Sequence, residues 1–549
     1  MDSIANIDAE ICRLRLQICG LMTRRNQQTF IGRIPNEILS LVFVAFVGGH
    51  DCLRASVCGP YWFQLTQVCR RWRQVALCDP SLWTHISSQY GNHITEMLQL
   101  SKQLPLKVDI VVTYGRTFMV NGLSKILEEA ARIHTLCLSV PSAVILQSAV
   151  DLMVQPAGIL DTLELEVSSS LDTWLLPNEL FAAKIPRLRR LHLHNCGIRW
   201  DSPLLTNLTD VAIRLPEYGE RVERFSLSVV IGRLRDMPTL RVLRLEYCVI
   251  SILDGDAASG EPIEPLELPL LEGLHLSDEI LTVTSVLGLV RVPCSASISL
   301  VCGSSVAEIV DIARLYGTLG RANGGYRETL IRTLCIDRGY DDSGIRFVAY
   351  TTECRPSAVM RNTEDADLVV DISWEAEYGG SSLLVNLCRS AHLGGVRELY
   401  IFDVDPIADY LWVDVARQME HLHSIHVRGQ GFHGIVGAFR LGAMDQDKNI
   451  FMPRVSKLVA ERVAFDGDTV GALAQSLRGR VDIGCSVGYV AIKCCVGIDQ
   501  EDIEMLRAIV TEVEWDGVNG WTSDEDEIDI DIGGRSHYAS EYYSTEGED

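Results

Sequence analysis

The sequence predicts an α/β protein: a small all-α segment followed by a solenoid, meaning a curved parallel sheet with helices on its convex side. Three observations carry this. An aliphatic pattern of the form L-x-x-L-x-L recurs through most of the chain. Stretches of helical periodicity separate its copies. Ahead of the copies lies a short region with three helical patterns and more apolar surface than it can bury alone. The 549 residues exceed what one compact core holds, so the chain needs several units or an elongated array.

The first element is residues 1–28. Ile4, Ile7, Ile11, Leu14, Ile18 and Leu21 follow an alternating spacing of three and four. On a helix they fall in one stripe, the seam of a coiled coil. The run is about three heptads long, which is marginal for an isolated coiled coil. Two readings stay open: the helix docks on its own chain, or it self-associates through residues 4–21.

The second element is residues 30–90. In "RIPNEILSLVFVAF", Pro35 stands where a helix accepts it, in the first turn, and Glu37 lies near the positive end of the helix dipole. Ile38, Leu39, Val42, Phe43 and Phe46 then form one broad apolar face. Gly48 and Gly49 end this helix. After the irregular "HDCLRASVCGPYW", a second helix carries Leu65, Val68, Cys69, Trp72, Val75 and Ala76 on one face. Asp79 caps a short turn that Pro80 begins and that carries Leu82 and Trp83. The surplus of apolar surface predicts a partner or a neighbouring domain.

The third element, residues 95–515, is decided by self-similarity. The pattern appears as "IHTLCL" at Ile133, "LDTLEL" at Leu160, "LRRLHL" at Leu188, "LTDVAI" at Leu208 and "LRVLRL" at Leu240. It continues as "LEGLHL" at Leu271, "IRTLCI" at Ile331, "VRELYI" at Val396, "LHSIHV" at Leu422 and "VSKLVA" at Val455. Weaker copies lie near Ile298, Leu368, Ile483 and Val513. The last two aliphatics of each copy alternate along a short strand and enter a shared core, while the residue between them points outward. One strand cannot cover its own apolar face, so successive strands stack. Segments such as "EYGERVERFSLSVVIGRLRDMP" are helical in pattern and cover the other side. Two copies continue into Cys196 and Cys248, where leucine-rich repeats often carry Asn or Cys, and the spacing is that of loose leucine-rich repeats. The fourth element, residues 522–549 with "SDEDEIDID", reads as a disordered acidic tail.

The net charge of −24 argues against a nucleic-acid binder, which needs a surplus of Lys and Arg for phosphate. The 17 cysteines include no C-x-x-C pair, and Cys137, Cys196 and Cys248 sit inside apolar runs, where Cys acts as a small hydrophobe. The start "MDSIANIDAE" is acidic, unlike a signal peptide, and "ILSLVFVAFV" is too short to span a bilayer. A reduced, soluble intracellular protein is expected, cytoplasmic or nuclear, with no membrane partner.

Motifs for catalysis are missing. "GTLGRANGG" at Gly317 lacks the Lys and Ser/Thr that hold phosphate and magnesium, and there is no H-E-x-x-H or G-x-S-x-G. His421, His423 and His426 in "HLHSIH" are sent to different faces of a strand and have no companion ligand set, so they read as surface or packing residues. No metal, no cofactor and no catalytic residue is expected. The outward residues of the repeats would form one column: Cys137, Glu164, His192, Ala212, Arg244, His275, Cys335, Tyr400, His426, Val459. Stacked strands space such neighbours about 5 Å apart. A phosphate-binding face would be dominated by one sign of charge, whereas this mixture suits a protein ligand. Glu164, His192, Arg244, His275, Tyr400 and His426 are therefore the candidate substrate face.

At residues 34–83 the chain resembles a known family. "IPNEILSLVF" followed by "LTQVCRRWRQVALCDPSLW" closely resembles an F-box, which opens on Leu-Pro, continues with a V-C-R-x-W helix and closes on Leu-Trp. The whole layout is similar to the large F-box families of mushroom-forming fungi. The resemblance implies the substrate-recognition subunit of an SCF-type ubiquitin ligase, a non-catalytic adaptor. Its F-box would dock on a Skp-family adaptor, and through it on a cullin and its RING subunit, while the repeats capture an unknown protein. It places Ile34, Pro35, Ile38, Leu39, Val42, Phe43, Leu65, Val68 and Cys69 towards the adaptor. Trp72, Leu82 and Trp83 would hold the helices together, and Arg70 and Arg71 would pair with acidic adaptor residues or stay in water. Ile34 replaces the usual Leu, and the link from Val47 to about Phe63 is longer than the compact family version. The alternative is a leucine-rich-repeat scaffold or inhibitor with a vestigial F-box, independent of the ubiquitin machinery. That reading predicts polar residues on the helix faces.

Overall fold

The computed structural model describes residues 2–48, 61–88, 93–113, 118–169, 174–217, 224–250, 264–304, 314–315, 317–319, 331–338, 344–353, 366–374, 388, 393–404, 409–444 and 452–518. The acidic tail, most of the link after Gly48 and most of "GTLGRANGG" lie outside these residues. The chain divides into two compact units, Met1–Glu223 and Arg224–Asp549.

The first unit begins with helices. α1 (Asp2–Gln27) leads through a 3-10 turn, Ile31–Arg33, to α2 (Asn36–Gly48). Gly32 is required at the junction, because a Cβ there would lie 1.9 Å from the Asn26 carbonyl oxygen. α3 (Leu65–Val68), α4 (Arg70–Cys78) and the 3-10 turn Pro80–Trp83 follow. The chain then enters a parallel ladder. His85–Ser87 pairs with Leu106–Val111, which pairs with Ile133–Val140, and Thr162–Val167, Arg190–His194 and Asp210–Arg214 add in chain order. The paired aliphatics of each copy are buried, as in Leu136 and Leu138, Leu163 and Leu165, and Leu191 and Leu193. The first two strands carry no L-x-x-L-x-L copy, but "LKVDIV" shows the same alternation of buried and open positions.

Two features of this unit give direct tests. Arg132 is buried, with Nη1 donating to Ser101 Oγ at 2.9 Å and to the Leu104 carbonyl at 3.2 Å. Its Nη2 donates to the Leu98 carbonyl at 3.0 Å, and its Nε to Glu129 Oε2 at 2.9 Å. Truncation strands several buried acceptors at once, so Arg132→Ala is expected to cost about 2–4 kcal/mol, read by urea denaturation. The helix Ile94–Leu100 ends differently. Lys102 is exposed and adopts φ 52°, with its N–H bonded to the Gln99 carbonyl. A left-handed residue just past a helix end favours glycine, so Lys102→Gly is expected to raise stability by about 0.5–1 kcal/mol, seen as a higher Tm.

The second unit carries a longer ladder. Val242–Glu246, Gly273–Glu279 and Ser297–Ser304 pair in parallel and in chain order. The order then inverts. Ser297–Ser304 pairs with Leu368–Trp374, which runs antiparallel to Gly344–Tyr350, itself antiparallel to Thr333–Arg338. Thr333–Arg338 pairs in parallel with Glu398–Phe402, and Ser424–Arg428, Lys457–Glu461, Tyr489–Lys493 and Glu512–Trp515 follow in order. The copy at Ile331 and the weak copy at Leu368 are therefore not successive rungs. A parallel neighbour needs a crossover of a dozen or more residues, and the link 339–343 is of hairpin length. The weak copy at Ile483 is also corrected. Ile483 ends the helix Gly467–Asp482, and the strand comes later, at Tyr489–Lys493. Helices Asp409–Ala416, Gly431–Met444 and Gly467–Asp482 pack side by side.

A shared turn closes many strands in both units. Asn195, Tyr247, Asp403, Arg462 and Cys494 have φ of 53°, 57°, 51°, 49° and 50°, and Gly429 takes the same place with φ 81°. The N–H of Asn195 donates to the Arg214 carbonyl, that of Tyr247 to Ser277, that of Asp403 to Arg428, and that of Arg462 to Lys493. Each acceptor lies at or near the end of the next strand of its ladder. The residue after the turn is often buried: Cys196, Cys248, Val404, Val463 and Cys495. This gives a role to the cysteines read from the sequence. The Cys196 thiol donates to the Leu165 carbonyl at 3.4 Å, and burial pushes its pKa up to about 12. Such thiols are packing groups, not nucleophiles.

Candidate docking site

The helical region at 31–83 is built around α2. The N–H of Leu39 donates to the Pro35 carbonyl at 3.0 Å, so Pro35 stands just before the helix without removing a needed donor. Glu37 lies in the first turn. The single second helix read from the sequence is broken. Cys69 is extended, with φ −159° and ψ 169°, and its sulfur accepts from the Trp72 N–H at 3.5 Å as the N-cap of α4. Leu65 and Val68 therefore do not share one continuous stripe with Trp72. The break lets Arg71 reach back to the start of α2. Its guanidinium donates to Asn36 Oδ1 at 3.0 Å, to the Gly32 carbonyl at 2.5 Å and to the Ile34 carbonyl. Arg71 is thus an internal clamp, not a solvated charge, while Arg70 is exposed.

The core of this region is closed by aromatics and one carboxylate. Phe43 and Trp72 lie with ring centroids 5.0 Å apart. Trp83 is buried, donates from Nε1 to the Ala76 carbonyl at 2.8 Å, and meets Phe63 edge-on at 5.9 Å. Leu82 is buried beside it. Asp79 accepts from the Ser81 N–H at 3.0 Å and from the Ser40 hydroxyl, tying the Pro80 turn to α2. Burial alone would raise the Asp79 pKa, but the bonds from Ser40 and Ser81 outweigh it and hold it below the usual carboxylate value. The region is fused to the sheet: Lys107 N–H donates to the Thr84 carbonyl at 3.0 Å, and Phe63 packs on His93.

The residues expected to face an adaptor divide. Leu39 and Phe43 are each 1% exposed, so they are turned into the core and cannot offer an open surface. Helix geometry explains this, since they share the face that packs on α4 and on the Pro80 turn. Ile38, Val42 and Val68 are 48%, 51% and 57% exposed, and Leu41, which the sequence reading passed over, is 64% exposed. Pro35 is exposed, and Ile34, Leu65 and Cys69 are half-buried. The open apolar residues on α2 are therefore Ile38, Leu41, Val42, Val44 and Phe46, and the first three stand close together in neighbouring turns.

The candidate substrate column is in register within each unit. Cys137, Glu164, His192 and Ala212 are consecutive partners, preceded by Asp109. Arg244 pairs with His275, and Cys335, Tyr400, His426 and Val459 follow one another further along. Exposure separates them. Glu164 and Arg244 are open, and His192 and His275 are half-buried. Tyr400 and His426 are buried at 5% and 8%, which corrects their place on an open face. Tyr400 packs with Cys335, Val348, Tyr350 and Phe402, and His426 lies against the Tyr400 and Phe402 rings. His426 Nε2 also bonds Glu461 Oε2 at 2.7 Å. Aromatic neighbours one strand apart bury each other, so an outward position became a second core. The first unit keeps a polar face, with Arg190 on Asp161 at 2.7 Å and His194 on Glu166 at 3.3 Å.

Among the described residues no group of His, Cys, Asp and Glu could hold a metal, every cysteine is a free thiol, and no helix is long and apolar enough to cross a membrane. Residues 31–89 match the F-box-like family, so the chain carries an F-box-like domain at this place. No curated protein matches the chain.

Proposed function

We propose that this chain is the substrate-recognition subunit of an SCF-type ubiquitin ligase. One observation carries the reading: an F-box-like domain whose core is satisfied internally keeps Ile38, Leu41 and Val42 open on α2. Isolated exposed aliphatics need no explanation, but a cluster on a family-matched docking helix favours a partner. The partner is a Skp-family adaptor, and through it a cullin and its RING subunit. The vestigial reading predicted polar residues at these positions, so their apolar character weighs against it.

The strands and helices after residue 95 form, in this reading, an irregular leucine-rich-repeat solenoid that captures a protein target. The recurrent left-handed turn followed by a buried residue supports a repeated unit. Glu164, His192, Arg244 and His275 are the residues of the target face that keep access to solvent. The role is non-catalytic: the receptor raises the local concentration of a target beside a charged ubiquitin carrier. Its place is inside the cell, cytoplasmic or nuclear.

Co-purification of the full chain with a Skp-family protein tests the reading. A stable complex with the wild type is expected. Failure of the folded wild type to bind would remove the ligase assignment.

A further inference from the structure

We propose that α1 joins two copies of this chain as a parallel, two-stranded coiled coil. The helix Asp2–Gln27 is about 39 Å long at 1.5 Å per residue. Its seam residues Ile4, Ile7, Ile11, Leu14, Ile18 and Leu21 are between 41% and 67% exposed. The helix leaves towards the Ile31–Arg33 turn, and among the described residues its aliphatic stripe stays open. A single helix with an open aliphatic stripe draws little stability from itself, so the stripe calls for cover.

The sequence of the stripe identifies the occupant as a second copy. Ile4, Ile11 and Ile18 hold the a positions, and Ile7, Leu14 and Leu21 hold the d positions. β-branched residues at a, with mostly Leu at d, favour two parallel strands. The flanks agree. In a parallel pair, Glu10 at g meets Arg15 at the following e of the partner helix, twice by symmetry, and Gln17 meets Met22. Along the seam from Ile4 to Leu21 no like charges face each other. In the single chain Glu10 pairs with Arg13 on its own exposed helix, at 2.6 Å, a contact weak enough to exchange. The seam ends where it should: Arg25 takes the next a position and Gln28 the next d, and Arg24 adds charge beside them. The pair would carry two F-box-like domains and two target faces, so a target with two contact points gains from effective concentration. None of this depends on the adaptor assignment.

Light scattering on size-exclusion fractions of the full chain, over a concentration series, tests it. Wild type is expected to approach twice the mass of one chain. Ile11→Asp with Leu14→Asp should return it to the mass of one chain. Leu16→Asp, equally exposed but off the seam, should behave as wild type. Direction is read by oxidation of Ile11→Cys in a Cys12→Ser, Cys19→Ser background. A parallel register brings the two Ile11→Cys thiols together and gives a disulfide-linked dimer, while Leu16→Cys gives none. A wild type that stays at the mass of one chain throughout overturns the proposal, and so does loss of the dimer with Leu16→Asp. A dimer that forms no Ile11→Cys cross-link overturns the parallel arrangement.

Discussion

Replacing Ile38 and Val42 together by Asp is expected to weaken adaptor binding by at least about 100-fold, or about 2.8 kcal/mol, while leaving folding intact. Both side chains are half open and lie one turn apart on α2. In the free protein the new carboxylates stay in water, so the stability change should remain within about 0.5 kcal/mol. In a complex they would have to shed water against an apolar surface with no partner, which is among the costliest changes an interface can suffer. The obvious alternative, Leu39→Asp, is a poor probe. Leu39 is 1% exposed, and a charge there unfolds the domain whatever the domain binds. Titration calorimetry of the double variant, with its unfolding curve beside it, separates the two effects. Wild-type affinity in the double variant would remove α2 from the interface.

The division of α2 into a buried and an open face is a tertiary property, unlike a strand period. The strands were legible because each aliphatic pair follows a local period of two, and a period survives whatever its neighbours do. Leu136 with Leu138 and Leu458 with Ala460 are buried for that reason alone. The apolar character of α2 was legible too, but not its division between core and surface. Ile38, Leu39, Val42 and Phe43 are all aliphatic or aromatic on a helix rich in such residues on every side. Only the packing of α4 and the Pro80 turn decides which of them are buried. The same limit applied to Tyr400 and His426. Their outward register was readable from the strand period. Their burial depends on Cys335 and Val348, which lie on other strands, one of them reached by an inverted order, and on Phe402, which shares the strand of Tyr400. Arg71 is the sharpest case. Between Arg70 and Trp72 it looks like a surface charge, yet acceptors more than thirty residues away in sequence claim its guanidinium.

Trp83→Ala is expected to cost about 3–5 kcal/mol and to abolish adaptor binding with it. The indole is 2% exposed, so truncation leaves a cavity that the rigid turn Pro80–Trp83 cannot fill by collapse. It also strands the Ala76 carbonyl, which Nε1 reaches at 2.8 Å, and removes the edge-on contact with Phe63. The damage runs in two directions. Ala76 belongs to α4, which packs on α2, while His85, just past Thr84, begins the first strand of the ladder. Trp83→Phe separates volume from hydrogen bonding. It keeps most of the ring and should lose only about 1–2 kcal/mol, with adaptor binding retained. The pattern across variants is what discriminates. Ile38→Asp with Val42→Asp loses binding without stability, Trp83→Ala loses both, and Trp83→Phe keeps binding at reduced stability. If denaturation of Trp83→Ala tracks the wild type, Trp83 does not hold the helices together, and the link between the F-box-like core and its open face on α2 falls with it.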